Sequence, residues 1–247
     1  DEKYLNTLTP KISLRTNPSD MKNYSSSERE INTSNIFSVN RLGLDDTFEE
    51  GESLTLGLDY RKEILEDMNK YFEFNLATIL REKEESRIPK TSTINQKGSN
   101  LFGSSNFNMS ENLKIKYNFA TDNNLETFEY NSIGANISLN NLVTNFDFVE
   151  KNGKMGGTNF IENETTYNFN ESNYLTFKTR RNRKINLTEY YDLVYEYKND
   201  CLTAGIKYKK TYYEDREVKP TEDLFFTVTL FPITQYEQKV DQALYRD

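Results

Sequence analysis

An all-β fold of about a dozen long antiparallel strands, closed so as to cross a membrane, is predicted by three observations. Segments of about ten to thirteen residues alternate apolar and polar side chains along most of the chain. Clusters of Asn, Asp, Gly and Glu separate these segments and supply turns. Long polar stretches also alternate with tight turns, which suits a barrel with short turns at one rim and long loops at the other.

The first strand carries Pro10 near its start, and residues 17–34, rich in Ser, Asn and charge, read as a long loop. Leu54, Leu56 and Leu58 mark a strand with Gly57 at its centre, and residues 82–97 (EKEESRIPKTSTINQK) read as a second long loop. Leu113, Ile115, Tyr117 and Phe119 lie on one face, with Lys114, Lys116 and Asn118 on the other. Thr121-Asp122-Asn123-Asn124 is a turn, strand sequence resumes over 125–138, and Asn140-Asn141 turns again. Leu142, Thr144, Phe146 and Phe148 share the next face. Tyr191, Leu193, Tyr195 and Tyr197 stand opposite Asp192, Glu196 and Lys198, and Lys198-Asn199-Asp200 is a tight turn. Leu202, Ala204, Ile206 and Tyr208 then oppose Lys207 and Lys209. Leu224, Phe226, Val228 and Leu230 oppose Thr227 and Thr229 in the last strong strand, at about 223–233. About 12 or 13 strands fit between residues 4 and 233, and the polar tail 234–247 is expected to hang free or form a short helix.

Composition narrows the function. Hydrophobic residues make up 35% of the chain and the mean hydropathy is -0.83. No run of about 20 apolar residues exists, which excludes a helical membrane protein but not a barrel. The 17 Tyr and 16 Phe, without Trp, suit strands and membrane interfaces. An AT-rich genome explains those totals equally well, though not their spacing. A net charge of -8 and a pI near 4.9 argue against nucleic-acid binding. The absence of His removes His-based triads, acid–base pairs and metal sites. One Cys builds neither a zinc site nor an internal disulfide. The reading is therefore of no enzyme, cofactor or metal, and Glu49-Glu50 and Glu84-Glu85 read as solvated loop carboxylates. A soluble β-sandwich also alternates. Typical strands of about 5–6 residues are shorter than these segments, and the strongly polar faces suit a wet lumen, so the barrel is favoured. The start DEKYLNTLTPKISL has no initiator Met and no basic stretch followed by an apolar one, so a fragment of a longer chain is expected.

Residues 8–61 resemble a block of the LptD family of lipopolysaccharide-assembly proteins. The matching features are Pro10, then a long polar loop, then the box Asn40-Arg41-Leu42-Gly43-Leu44-Asp45-Asp46, then Gly51, Leu54, Leu56, Gly57, Leu58 and Arg61. The family commonly has Glu before the Pro, where Thr9 stands, and Arg at the position of Asp46. A second block near the end is similar to the family's strand, Cys-containing turn and strand, through Tyr195, Tyr197, Asp200, Cys201 and Tyr208.

The resemblance implies the C-terminal part of a larger outer-membrane barrel over residues 1–233. A signal peptide and a periplasmic jellyroll-like domain would lie outside this fragment. It implies a non-enzymatic component that assembles lipopolysaccharide into the outer leaflet of a Gram-negative bacterium. Sugars would pass through the lumen, and release would occur at a seam between first and last strands. It also implies the lipoprotein LptE as a plug, periplasmic bridge proteins as partners, and a disulfide from Cys201 to the N-terminal region. A lone Cys in an oxidising compartment is compatible with an outside partner, and equally with a small filler at a strand start. Asn40, Arg41, Gly43 and Asp45 are candidates to stabilise a lumen-facing loop, with an Arg–Asp pair available. Arg180, Arg181, Arg183 and Lys184 are candidates for contacts with lipopolysaccharide phosphates, or else solvated rim charges. Another outer-membrane barrel, such as a porin or secretion translocator, and a soluble sandwich module remain open at this point.

Overall fold

The computed structural model describes residues 3–212, 220–230 and 234–240. Among these described residues thirteen strands run in chain order, each hydrogen-bonded to its sequence neighbours, with no crossover. They are β1 (Tyr4–Asn17), β2 (Gly51–Ile64), β3 (Asp67–Arg81), β4 (Leu101–Ser110), β5 (Leu113–Thr121), β6 (Phe128–Leu139), β7 (Leu142–Lys151), β8 (Asn159–Asn170), β9 (Asn173–Asn182), β10 (Leu187–Lys198), β11 (Leu202–Thr211), β12 (Thr221–Leu230) and β13 (Thr234–Val240). The sheet is antiparallel, and β1 and β13 stand first and last in its strand order among the described residues. The first three strands have 14, 14 and 15 residues, more than the roughly 9–11 that a tilted strand needs to span hydrocarbon.

Two expectations are corrected. The strand placed at 125–138 starts later, because Leu125 adopts a left-handed φ of 61°. The Asp122 carboxylate accepts the amides of Glu126 and Thr127 at 2.7 and 3.0 Å, which prolongs the turn. The expected free tail also differs. Residues 234–240 pair with β12 as β13, from Thr234 opposite Leu230 to Val240 opposite Leu224. The sequence TQYEQKV is too polar to signal a strand, but ladder bonds need only backbone. Residues 231–233 of the expected last strand and 241–247 of the tail lie outside the described residues.

The described residues group into two compact units, one up to Ile133 with Val149–Thr158, the other Gly134–Phe148 with the residues from Asn159 on. In the first unit, Leu8, Ile12 and Leu14 of β1 lie opposite Tyr60, Leu56 and Leu54 of β2. Those three lie in turn opposite Phe74, Thr78 and Leu80 of β3. This apolar face is bare, with Ile12 and Leu14 each 77% exposed. In the second unit, Leu175, Tyr195, Ile206 and Phe226 form one cross-strand row. Ile206 and Phe226 are 44% and 46% exposed. A soluble sandwich hides such faces between two sheets. Here no described element covers them, and hydrocarbon is the medium that suits them.

The polar face of the first unit is the covered one. Residues 18–50 and 82–100 fold onto it and bring their own apolar side chains. Met21, Ile31, Ile36, Leu42 and Leu44 from the first loop join Ile88 and Ile94 from the second. They pack on Ala77 and Ile79 of β3, Phe102 of β4 and Ala120 of β5. Ile36, Ile79, Ile88 and Ile94 have no exposed area, and each such burial contributes about 1.5–3 kcal/mol. Gly57 of β2 lets the Phe37 ring lie directly on the strand, since a Cβ there would sit 2.6 Å from the ring. Gly57→Leu is therefore expected to push Phe37 off the sheet. Ile36→Ala should cost about 2–5 kcal/mol of loop docking. Limited proteolysis of the detergent-solubilised protein would show faster cutting within 18–50 in both variants. Cutting at the wild-type rate would contradict this packing.

Candidate functional site

Beneath the folded loops lies a buried charge cluster centred on Glu49. Ser53 and Thr55 project from the polar face of β2 because they alternate with Leu54 and Leu56. Arg15 at the end of β1 and Arg81 at the end of β3 occupy the same face by register: Arg15 and Arg81 each stand opposite Ser53. Arg41 comes from the first loop. Its Nε donates to Glu49 at 2.7 Å, and its other nitrogens donate to Thr55 and Ser53, each at 3.0 Å. A second bond joins Arg41 to Glu49, and Arg81 donates to Glu49 and to the Glu50 carbonyl. Arg15 approaches the same carboxylate at 3.6 Å and donates to the carbonyls of Ser38 and Val39 at 2.6 and 2.7 Å. Arg41, Glu49 and Arg81 are all buried. One carboxylate thus gathers three guanidiniums from β1, β3 and the loop, and removing that carboxylate would leave buried positive charge without compensation.

A second, more open cluster ties the two loops together. Arg87 pairs with Glu50 at 2.5 Å and Glu85 at 2.8 Å, and reaches Asp20 at 3.6 Å. The Glu50 carboxylate also accepts the Met21 amide at 2.9 Å. The Arg87 guanidinium holds the Glu85 carboxyl below its usual range, and Glu85 in turn raises Arg87. Beside the first loop is a polar cavity of about 560 Å³, lined by side chains such as Lys11, Asn32, Asn75, Asn106, Lys116 and Tyr130.

The residues singled out in the sequence are dispersed. The Asn40 side chain brackets the first loop, donating to the Leu44 carbonyl at 2.7 Å and accepting the Leu44 amide at 2.9 Å. Gly43 takes a left-handed φ of 61°, and its carbonyl accepts from Arg29 at 2.7 Å. The Arg–Asp pair available within the box does not form. Arg41 turns inward to Glu49, while Asp45 is exposed and 3.7 Å from Arg29. The reading of Glu49-Glu50 as solvated is corrected, since Glu49 is buried and Glu50 binds Arg87. Glu84 is exposed, whereas Glu85 pairs. Arg180 pairs with Glu189 at 2.8 Å and lies over the Phe160 ring. Arg181 emerges on the opposite face of β9 and bonds Asn186. Arg183 lies in the following turn, 5.3 Å from the Phe148 ring centre, and Lys184 is exposed beside it. These four cations do not converge. Cys201 is exposed and free in the turn between β10 and β11. Glu49, Arg15 and Arg81 were missed by sequence reading. For Arg15 and Arg81 the signal is a charged residue at the loop-side end of a polar strand face; Glu49 lies in the loop before β2 and carries no such signal.

A single sheet with a bare apolar face and loops folded on its polar face defines an outer-membrane β-barrel protein. A sequence profile of the LptD family, described as LPS transport system D, matches residues 1–172, and the chain belongs to that family. It is accordingly an outer-membrane protein of Gram-negative lipopolysaccharide transport, in a family of transport rather than catalysis. The match contains both loops and the Glu49 cluster; Arg180, Arg181, Arg183, Lys184 and Cys201 lie beyond it. Among solved structures, a triple mutant of the Rhodopseudomonas blastica porin overlays with a TM-score of 0.42 at 10% identity, covering 96% of this chain and 94% of the porin. Another mutant of the Rh. blastica porin gives 0.41 at 10% identity, with coverage of 80% and 87%. Overlays this loose decide nothing about function. No curated protein matches the chain significantly.

Glu49→Gln should leave Arg41 and Arg81 undercompensated and cost about 3–5 kcal/mol of loop docking. Hydrogen exchange would read this as loss of protection in residues 18–50, and retained protection would contradict it. The Glu85 link responds to pH. Its folded pKa is depressed, so its stabilisation is present above the unfolded value of about 4.3 and fades as pH falls through the lower folded value. Protection factors in residues 82–100, taken against the intrinsic exchange rate at each pH, should therefore fall below about pH 4 in the wild type and less so in Glu85→Gln. Identical profiles would rule the link out.

Proposed function

We propose that this chain is a wall of the barrel through which lipopolysaccharide reaches the outer leaflet. The observation that carries the reading is the division of labour between the two faces of one sheet in a chain of the LptD family. Acyl chains would keep to the hydrocarbon that wets the apolar face, while sugars follow the polar face. Release would occur at a lateral seam between the first and last strands of the complete barrel. The lipoprotein LptE would sit in the lumen, and periplasmic bridge proteins would deliver the cargo. The loop between β9 and β10 belongs to the longer set of connections, the set that suits the outer rim. Arg181, Arg183 and Lys184 would meet lipopolysaccharide phosphates there. The turn holding Cys201 belongs to the shorter set, on the periplasmic side in this reading, where a disulfide partner in an N-terminal domain would reach it.

Depleting the protein from cells should remove newly made lipopolysaccharide from the surface while other barrels still assemble. Normal surface display would refute the transport role. On a non-reducing gel, the full-length protein should migrate faster than its Cys201→Ser variant. Equal mobility would remove the disulfide and leave the transport role standing.

A further inference from the structure

The polar face of the second unit carries a row of charges that alternates strand by strand. Glu164 of β8 stands opposite Lys178 of β9, and Lys178 opposite Asp192 of β10. Asp192 stands opposite Lys209 of β11, and Lys209 opposite Asp223 of β12. Acid and base therefore alternate across five strands in one register. The side chains use this placement. Lys178 pairs with Glu164 at 2.9 Å, and Lys207, one step along β11, approaches Asp192 at 3.4 Å. On the neighbouring row Arg180 pairs with Glu189 at 2.8 Å. Asp192 is the pivot: it is 8% exposed, and three lysines share its face of the sheet.

We propose that this ladder is a specificity device for an anionic glycolipid cargo, which it lets slide past without capture. The proposal rests on the transport reading given above. An exposed cation on a confined wall binds phosphate through charge-assisted hydrogen bonds. Conduction requires binding weak enough to permit departure. In the ladder Lys178 and Lys207 already sit beside carboxylates of their own sheet, and Lys209 stands between Asp192 and Asp223 by register, so a passing phosphate must compete with negative charge already in place. The carboxylates are flanked by lysines in turn, so the wall does not repel the cargo either. Ion pairing could also serve register alone, since cross-strand charge pairs stabilise a sheet. The two roles separate when the charges are removed in pairs.

The test uses the full-length protein in its native complex, with lipopolysaccharide as the probe. Asp192→Asn removes the carboxylate that Lys207 approaches and that stands opposite Lys178 and Lys209. Lipopolysaccharide retained on the purified complex should rise several-fold, the excess should wash off at high salt, and surface delivery should slow. Asp192→Asn combined with Lys209→Gln lowers the local positive charge again without restoring any ion pair, and retention should return towards the wild-type level. Asp223→Asn, at the end of the row, carries the same test if Asp192→Asn fails to fold, as judged by heat-dependent gel mobility. Wild-type retention in a folded single variant overturns the proposal. So does retention that stays high in the double variant, which would indicate a structural role. A wild-type complex that neither binds nor delivers lipopolysaccharide would instead remove the transport reading beneath it.

Discussion

Everything in this molecule follows from the requirement that a strand crossing hydrocarbon bond its backbone to neighbouring strands. Pairing in simple chain order meets that requirement strand by strand along the chain. It also forces side chains to opposite faces in steps of two. One face must then suit lipid and the other must suit water, cargo or protein. Leu8, Ile12 and Leu14 meet the first condition, and Lys11, Ser13 and Arg15, one step away on the same strand, meet the second.

The two units meet the second condition differently. In the first, the chain's own loops occupy the polar face, held by an apolar core and by Glu49 with its three guanidiniums. A buried ion cluster of this kind adds little net stability over a well-packed apolar alternative, but it penalises any wrong seating of the loop severely. That suits a loop whose position matters more than its strength of attachment. In the second unit, charges of the sheet itself are matched across strands, as in Lys178 with Glu164 and Lys207 with Asp192.

Most of the sheet was legible in sequence because its cause is local. The alternation of Leu113, Ile115, Tyr117 and Phe119 needs no partner to be recognised, and the Asn140-Asn141 turn announces itself by chemistry that tolerates φ of 50°. β13 was not legible, since its ladder bonds involve backbone that every sequence shares. The folded loops were hidden for the same kind of reason. Ile31, Ile36, Ile88 and Ile94 follow no period and are separated by Ser, Asn and charge. They become a core only when strands distant in sequence supply Ile79 and Phe102. Glu49 looked like one of two solvated carboxylates because Arg15, Arg41 and Arg81 converge on it only in three dimensions. The Asn40-Arg41 box drew notice by family resemblance, yet the partner of Arg41 lay outside it.

The most direct test of this account places a photo-crosslinking amino acid at Asn106 or at Ile115 in the full-length protein in cells. Asn106 lines the polar cavity, while Ile115, on the adjacent strand, belongs to the open face. The account predicts that position 106 captures lipopolysaccharide and position 115 captures membrane phospholipid. Phospholipid at both positions, or lipopolysaccharide at neither, would contradict it.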